Sequence, residues 1–392
     1  MNPVVYLDNA ATTAVDARVI EEMLECCGPA GDFANPAAVG HEPGRRARAR
    51  VERAREEVAA LVGATPEQVV WTSGATEADN LALFGAARYY GVRGRHLVTS
   101  RTEHPAVLDS CRQLEREGFE VTYLKPGADG IVAPGQVEDA LRADSILVSL
   151  MHVNNETGVV QDVGTVGRLC RARGVLLHVD AAQSAGKLPL DVERDCIDLL
   201  ALTAHKVHGP KGVGALCVRL EPRLGLVPLL FGGGQERGLR SGTVPTHQVA
   251  GMGAAYRIAG AGMATESGRI ATLRDALWDG LARLPGVWRN GSAEHCAPGI
   301  LSVSIDDVEG ESLLLALADL AVASGSACAS MHGQPSYVLR ALGRSERLAQ
   351  SSLRLSLGRF TSDQDVAYAV HRIREEVQRL RAVAPVVADG ES

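Results

Sequence analysis

Three side chains in this 392-residue chain are chemically capable and sit where packing alone does not explain them. Lys206 closes Thr203-Ala-His205-Lys206, directly after the apolar run Ile197, Leu199, Leu200, Leu202 and before the turn-rich Gly209-Pro-Lys-Gly212. The period and punctuation read as a strand, a loop at its end and a returning strand over 215–218. A lysine partly desolvated at a strand end has a lowered pKa and can form a Schiff base with an aldehyde. The plainer reading is a lysine on a surface loop. Cys328 lies in Ala323-Ser-Gly-Ser-Ala-Cys328-Ala-Ser-Met-His-Gly-Gln334. A free cysteine is usually a small buried hydrophobe, which suits Cys111, Cys170 and Cys217 in their apolar contexts, but a Gly/Ser/Ala run gives Cys328 nothing to pack against. Such a thiol can act as a nucleophile and carry its product elsewhere. Arg354 is a charge inside the apolar Ser352-Leu-Arg-Leu-Ser-Leu357, and its fork suits a substrate carboxylate.

An aldehyde cofactor held by Lys206 needs four kinds of support, and the chain offers each. A phosphate needs backbone N–H groups and hydroxyls at a helix start, available at Ser73-Gly-Ala75-Thr76, with Thr76-x-x-Asp79 as a capping box. A protonated ring nitrogen needs a carboxylate, and Asp180 follows an apolar strand. A ring face needs a flat partner, for which His104 serves while also moving protons. A ring hydroxyl needs polar partners, for which Gln183 and Asn155 are placed. Each also has a plainer reading, with Asp180 a helix N-cap, His104 a satisfied loop histidine and Gln183 a surface residue. Their occurrence at successive strand ends favours the cofactor. His205 and His208 have metal-pair spacing, but no third ligand with its own spacing accompanies them, and no metal site is read.

These positions need a scaffold that brings strand ends together. Helices are expected over 14–27 and 45–62, separated by a Gly/Pro/Asn-rich stretch at 28–44 long enough to be a lid or a site edge. Strands are expected at 69–72, 96–100, 119–124, 145–151 and 175–179, alternating with helices at 76–90, 106–117, 136–141 and 163–173. That alternation means a mainly parallel, doubly wound sheet with ligands at the carboxyl ends of its strands. After Thr243 the pattern changes to helices at 249–263 and 270–284, strand-like pieces at 301–305 and 353–357, and helices at 310–320 and 362–381. This reads as a smaller α+β unit to which the N-terminal segment is expected to return.

Composition is ordinary for a globular protein, 46% apolar and 22% charged. The net charge of −7 argues against a nucleic-acid footprint, and the arginines at 45–50 are followed by Glu52, Glu56 and Glu57, as on a solvated helix face. No apolar run approaches a membrane span, no leader pattern opens the chain, and the eight cysteines form no CxxC pair. A cytoplasmic protein with reduced thiols is expected.

Nine motifs, in order along nearly the whole chain, carry a resemblance: YLDNAATT (6–13), TSGATEADN (72–80), RTEHPAVLD (101–109), MHVNNETG (151–158), HVDAAQS (178–184), HKVHGPKGVGAL (205–216), GGGQERGLRSGT (232–243), SGSACAS (324–330) and LRLSLGRF (353–360). The sequence resembles the cysteine desulfurases of the IscS/NifS type, in the class V group of pyridoxal-phosphate enzymes. The resemblance implies the type I PLP-dependent transferase fold, with a large α/β domain (14–258) around a mainly parallel seven-stranded sheet. A small α+β domain (1–13 and 259–392) would carry the catalytic-cysteine loop at about 323–336. It implies pyridoxal 5'-phosphate on Lys206, Asp180 at its ring nitrogen, His104 stacked on the ring, and Gln183 and Asn155 at its oxygens. Ala75, Thr76, Thr203 and His205 would hold the phosphate, joined by Thr243 from the partner of a homodimer. Arg354 and Asn155 would bind L-cysteine. Cys328 would take the sulfur from a cofactor-bound ketimine, leaving L-alanine and an enzyme persulfide. That sulfur would pass to an Fe–S scaffold protein, with which Cys328 could transiently ligate a cluster, or to a tRNA-thiolation acceptor. Ala204 and His208 depart from the glycine and tyrosine common in the family. The rivals are a selenocysteine lyase, a class V aminotransferase, which has no use for Cys328, and a non-catalytic sulfur-relay subunit, against which the intact Lys206, Asp180, His104 and Cys328 speak.

Overall fold

The computed structural model describes residues 4–324 and 335–383. The chain opens with a two-residue strand, β1 (Val5–Tyr6), and a helix, α1 (Ala17–Leu24), shorter than the expected 14–27 because Asp16 caps it by accepting from Arg18 N. Helix α2 (Glu42–Leu61) is capped by His41, which accepts from Gly44 N, and has Pro43 in its first turn. Strand–helix alternation follows as β2 (Val69–Thr72), α3 (Ala75–Tyr90), β3 (His96–Ser100), α4 (Pro105–Arg116), β4 (Glu120–Leu124), α5 (Pro134–Ala140), β5 (Ser145–Ser149), α6 (Val163–Arg173) and β6 (Leu176–Asp180). Helix α6 is capped by Asp162 and ends at Gly174, which takes the left-handed φ of 64°. Strands β7 (Leu199–Thr203) and β8 (Gly214–Val218) complete a seven-stranded sheet of order β2-β8-β7-β6-β5-β3-β4. Only β8 runs antiparallel to its neighbours, so the other six strands end on one edge. Apart from β4, its strands are buried throughout, as expected of a sheet covered on both faces.

A single 36-residue helix, α7 (Thr246–Leu281), stands where two helices broken at 264–269 were expected. Its N-terminal half packs on α1 and α2 and its C-terminal half on α11 (Asp363–Val383). Almost nothing is buried between Ala259 and Ile270, so the apolar stripe lapses where the helix passes from one body to the other. The polar stretch keeps its helix because Ser267 Oγ donates to Lys187 O (2.6 Å) and Glu266 pairs with Arg359 (2.8 Å).

The second body is a four-stranded antiparallel sheet in the order β12-β13-β10-β9. It contains β9 (Val287–Arg289), β10 (Ile300–Ile305), β12 (Ala323–Ser324) and β13 (Ser352–Ser356), with helices α8 (Gly310–Ala316), α10 (Glu346–Gln350) and α11 against it and α9 (Tyr337–Ala341) beside α10. Strand β11 (Leu320–Ala321) pairs in parallel with β1, and Leu7 joins this body's core, so the N-terminal segment does return to it. Among the described residues no helix is long and apolar enough to cross a membrane.

Candidate active site

The loops following β2, β3, β5, β6 and β7 surround a cavity of about 540 Å³ at the carboxyl edge of the large sheet. Ala75, Thr76, His104, Asn155, Asp180, Thr203, His205, Lys206 and Arg354 all line it. Gln183 does not. It faces a neighbouring chamber of about 30 Å³, whose wall also includes Lys206, and donates from Nε2 to Ala10 O (2.8 Å). Thr243 is exposed and lines neither space. Cys328 lies outside the described residues. The 28–44 stretch is not an edge of this cavity: its Asn35, Pro36 and Ala37 line a separate groove with Arg48, Glu52 and Arg237.

Lys206 is held by its neighbours in sequence and by the N-terminal segment. Thr13 N donates to His205 O (2.8 Å), Thr13 Oγ1 donates to the same oxygen (2.9 Å), and His208 N donates to Thr13 Oγ1 (2.8 Å). Burial pushes the Lys206 amine below the usual lysine range, against the opposing charge of Asp180. His205 falls to about 4, first by burial and then by the charge of Lys206, so its imidazole is neutral.

At the start of α3 the expected Thr76–Asp79 capping box does not form. The helix begins one residue earlier, at Ala75, and it is Glu77 whose carboxylate accepts from Ser73 N (2.8 Å). Glu77 is in turn paired with Arg240 (2.8 Å), which neutralises the one carboxylate beside this helix start. Asp79 is instead fully buried, and burial together with Asp180 raises its pKa well above the carboxylate range. Gly214 of β8 lets the strand press on this turn, since a Cβ there would fall 2.7 Å from Gly74. The free N–H groups of α3 thus open into the cavity without a competing negative charge.

Asp180 Oδ1 accepts from Ala182 N (2.8 Å). His104 caps α4 by accepting from Ala106 N at Nδ1 (3.1 Å) and also lines the cavity, so it is a satisfied histidine and a site residue at once. Burial lowers its pKa and Asp180 opposes the shift. Five polar atoms of cavity-lining residues are buried and find no hydrogen-bond partner among the described residues: Asp79 Oδ1 and Oδ2, Thr203 Oγ1, Asn155 Oδ1 and Arg354 Nε. Such atoms are costly unless a bound polar group satisfies them.

Four acidic or phenolic residues at the site escaped the sequence reading. Asp8 pairs with Arg354. Glu103, behind His104, accepts from Met151 N (3.0 Å) and is held protonated by burial. Glu156 lines the cavity and accepts from Ser336 Oγ, and burial lifts its pKa to about 7. Tyr337 donates to Glu103 O (2.6 Å) and lines the cavity as well. A cavity with a depressed lysine amine, a buried carboxylate, an open helix start and a guanidinium can hold a phosphorylated aldehyde and an α-amino acid together.

The sequence profile of the aminotransferase class-V family matches residues 5–368. Cysteine desulfurase IscS of Enterobacter sp. (strain 638) is 55% identical over 382 residues, covering 97% of this chain and 95% of that protein. Among solved structures, a NifS-like protein superposes with a TM-score of 0.89 at 36% identity, covering 96% of this chain and 100% of that one. SspA in complex with cysteine superposes with a TM-score of 0.81 at 38% identity, covering 91% and 99%.

Proposed function

The chain belongs to the class-V aminotransferases and, within them, to the cysteine desulfurases of the IscS type, and on that premise we propose how its own residues turn L-cysteine into L-alanine and park the sulfur on Cys328. One observation carries the reading. The buried Lys206 amine shares a single cavity with Asp180, His104 and Arg354.

The residues present fit pyridoxal 5'-phosphate. The unpaired Thr203 Oγ1 and Asn155 Oδ1, the open start of α3 at Ala75 and Thr76, and the neutral His205 form a polar cradle of matching chemistry. When bound, the cofactor supplies an electron sink for negative charge on the carbon beside the substrate's amino group. Lys206 would hold it covalently, because an amine with a lowered pKa is unprotonated often enough to attack an aldehyde. Asp180 would keep the ring nitrogen protonated, and His104, neutral and against the cavity, would stack on the ring and accept or return a proton. Asn155 and Gln183 would meet ring oxygens, Gln183 from the adjoining chamber. Arg354 would take the substrate carboxylate.

In the sulfur transfer, the Cys328 thiolate attacks the substrate sulfur. The S–S bond forms as the Cβ–S bond breaks, the electron pair goes to Cβ, and a proton there completes L-alanine. Atoms and electrons balance without an external oxidant. Residues on both sides of the cysteine segment are fastened to the cavity wall: β12 pairs Ala323 with Arg354, and Ser336 and Tyr337 bond Glu156 and Glu103. The persulfide would then serve an Fe–S scaffold protein or another acceptor such as the tRNA-thiolation machinery, in a cytoplasmic homodimer.

A single turnover with L-cysteine and no reductant tests this. L-alanine released with one added sulfur on the Cys328 peptide, seen by mass analysis, is the expected result. Loaded protein that yields neither would return the chain to amino-group transfer with keto acids.

A further inference from the structure

Arg354 holds the substrate carboxylate in the reading above, yet its guanidinium is already engaged. Nη2 donates to Asp8 Oδ1 at 2.7 Å and Nη1 to Asn155 O at 3.0 Å, while the buried Nε donates to nothing among the described residues. The two charges differ in what water reaches, with the Arg354 side chain 3% exposed and that of Asp8 22%. They also differ in how firmly each is fixed. Arg354 sits mid-strand in β13, between Ser302 of β10 and Ala323 of β12. Asp8 has a pinned backbone, bridged to Ser356, with its carbonyl accepting from Tyr6 Oη (3.2 Å) and Ala11 N (3.1 Å). Among the described residues its side chain has no bonded partner but Arg354. The guanidinium therefore stays in place, and the carboxylate of Asp8 is free to swing toward water.

An α-amino acid brings a second carboxylate to the same fork. Two carboxylates on one guanidinium repel each other in a poorly solvated site. We propose that Asp8 is a positioning residue that occupies the Arg354 fork in the empty enzyme and exchanges with the carboxylate of the amino-acid substrate and product. The proposal rests on Arg354 being the carboxylate clamp. Asp8 keeps a buried guanidinium paired and aimed when no ligand is present, which avoids an isolated buried charge. By returning to the fork it also helps L-alanine leave. An exchange of like groups makes binding weaker than an open fork would give, and release correspondingly faster.

The test is equilibrium binding to the cofactor-loaded enzyme, read from the cofactor's absorbance. The two probes are L-alanine and L-alaninol, the same amine with hydroxymethyl in place of carboxylate. Asp8→Asn is expected to bind L-alanine about fivefold more tightly than wild type, with L-alaninol affinity unchanged. Its KM for L-cysteine should fall while kcat does not rise. Asp8→Ala, which removes the acceptor altogether, should show the same preference. L-alanine affinity unchanged or weakened in both variants overturns the exchange. Arg354→Leu separates the two layers of the argument. If it binds L-alanine like wild type, the clamp assignment itself is wrong. If it loses L-alanine while neither Asp8 variant gains any, only the exchange is wrong.

Discussion

Protonation at this site is set by burial more than by charge pairing, and Glu156 shows it best. Its carboxyl is lifted from 4.5 to about 7 by desolvation, which outweighs the hydrogen bond from Ser336 and the charge of Arg354. A carboxyl whose folded pKa is raised binds its proton more tightly in the native state than in the unfolded chain. Wild-type stability should therefore fall as the pH rises from about 4.5 to about 7, by about 3 kcal/mol for the full shift. Glu156→Gln keeps the shape and cannot ionise. Its urea midpoint should gain on wild type between pH 5 and pH 8, and a gap that does not change with pH would mean that Glu156 is ionised in the fold throughout. Glu156 also marks where the sequence ceased to be legible. Lys206, Asp180, His104, Asn155 and Thr76 were readable because each follows a strand in a polar loop, where chain order alone places it at the sheet's ligand edge. Arg354 was readable as a charge in an apolar strand. Asp8, Glu103 and Glu156 are ordinary acidic loop residues in the sequence. Only packing against distant segments buries Glu103 and Glu156 and pairs Asp8 with Arg354, and no local period records that.

At the level of elements, the alternating part of the chain was legible because each strand and helix buries one face against its neighbours in order. Helix α7 was not, because its two halves serve different bodies and its stripe changes partner midway. We propose that the two units meet inside this helix, at the 258/259 boundary expected from the sequence. The glycines of α7 separate packing from propensity. At Gly253 an added Cβ would lie 2.6 Å from Ala54 Cα on α2, so the crossing of α2 and α7 depends on the missing side chain. At Gly262 nothing lies within 4 Å. Gly253→Ala should lose about 1–3 kcal/mol to overpacking, net of the helix propensity it gains. Gly262→Ala should gain up to about 1 kcal/mol. Denaturant midpoints for the pair check this, and equal shifts of the same sign would mean that the crossing adjusts at no cost.

For the whole molecule, the open question is what completes the cavity, since Thr243 is expected at the phosphate but is exposed and lines neither this cavity nor its neighbouring chamber. The surface around it is suited to a second copy. Phe231 is 80% exposed and Phe33 56%, and the 35–37 and 233–237 stretches that follow them in the chain line one groove of about 480 Å³. Apolar side chains left open beside a groove are what an isologous interface covers. If the partner subunit's Thr243 reaches this cavity, mixing two damaged chains repairs one site. A dimer of a Lys206→Ala chain with a Thr243→Ala chain then has one site lacking both groups and one lacking neither. The intact site should hold the cofactor with wild-type affinity, whereas the Thr243→Ala homodimer should hold it more weakly. Cofactor titration of the purified mixed dimer distinguishes the arrangements. Were Thr243 to act within its own chain, the site that keeps Lys206 would still lack Thr243, and the mixed dimer would bind no better than the Thr243→Ala homodimer.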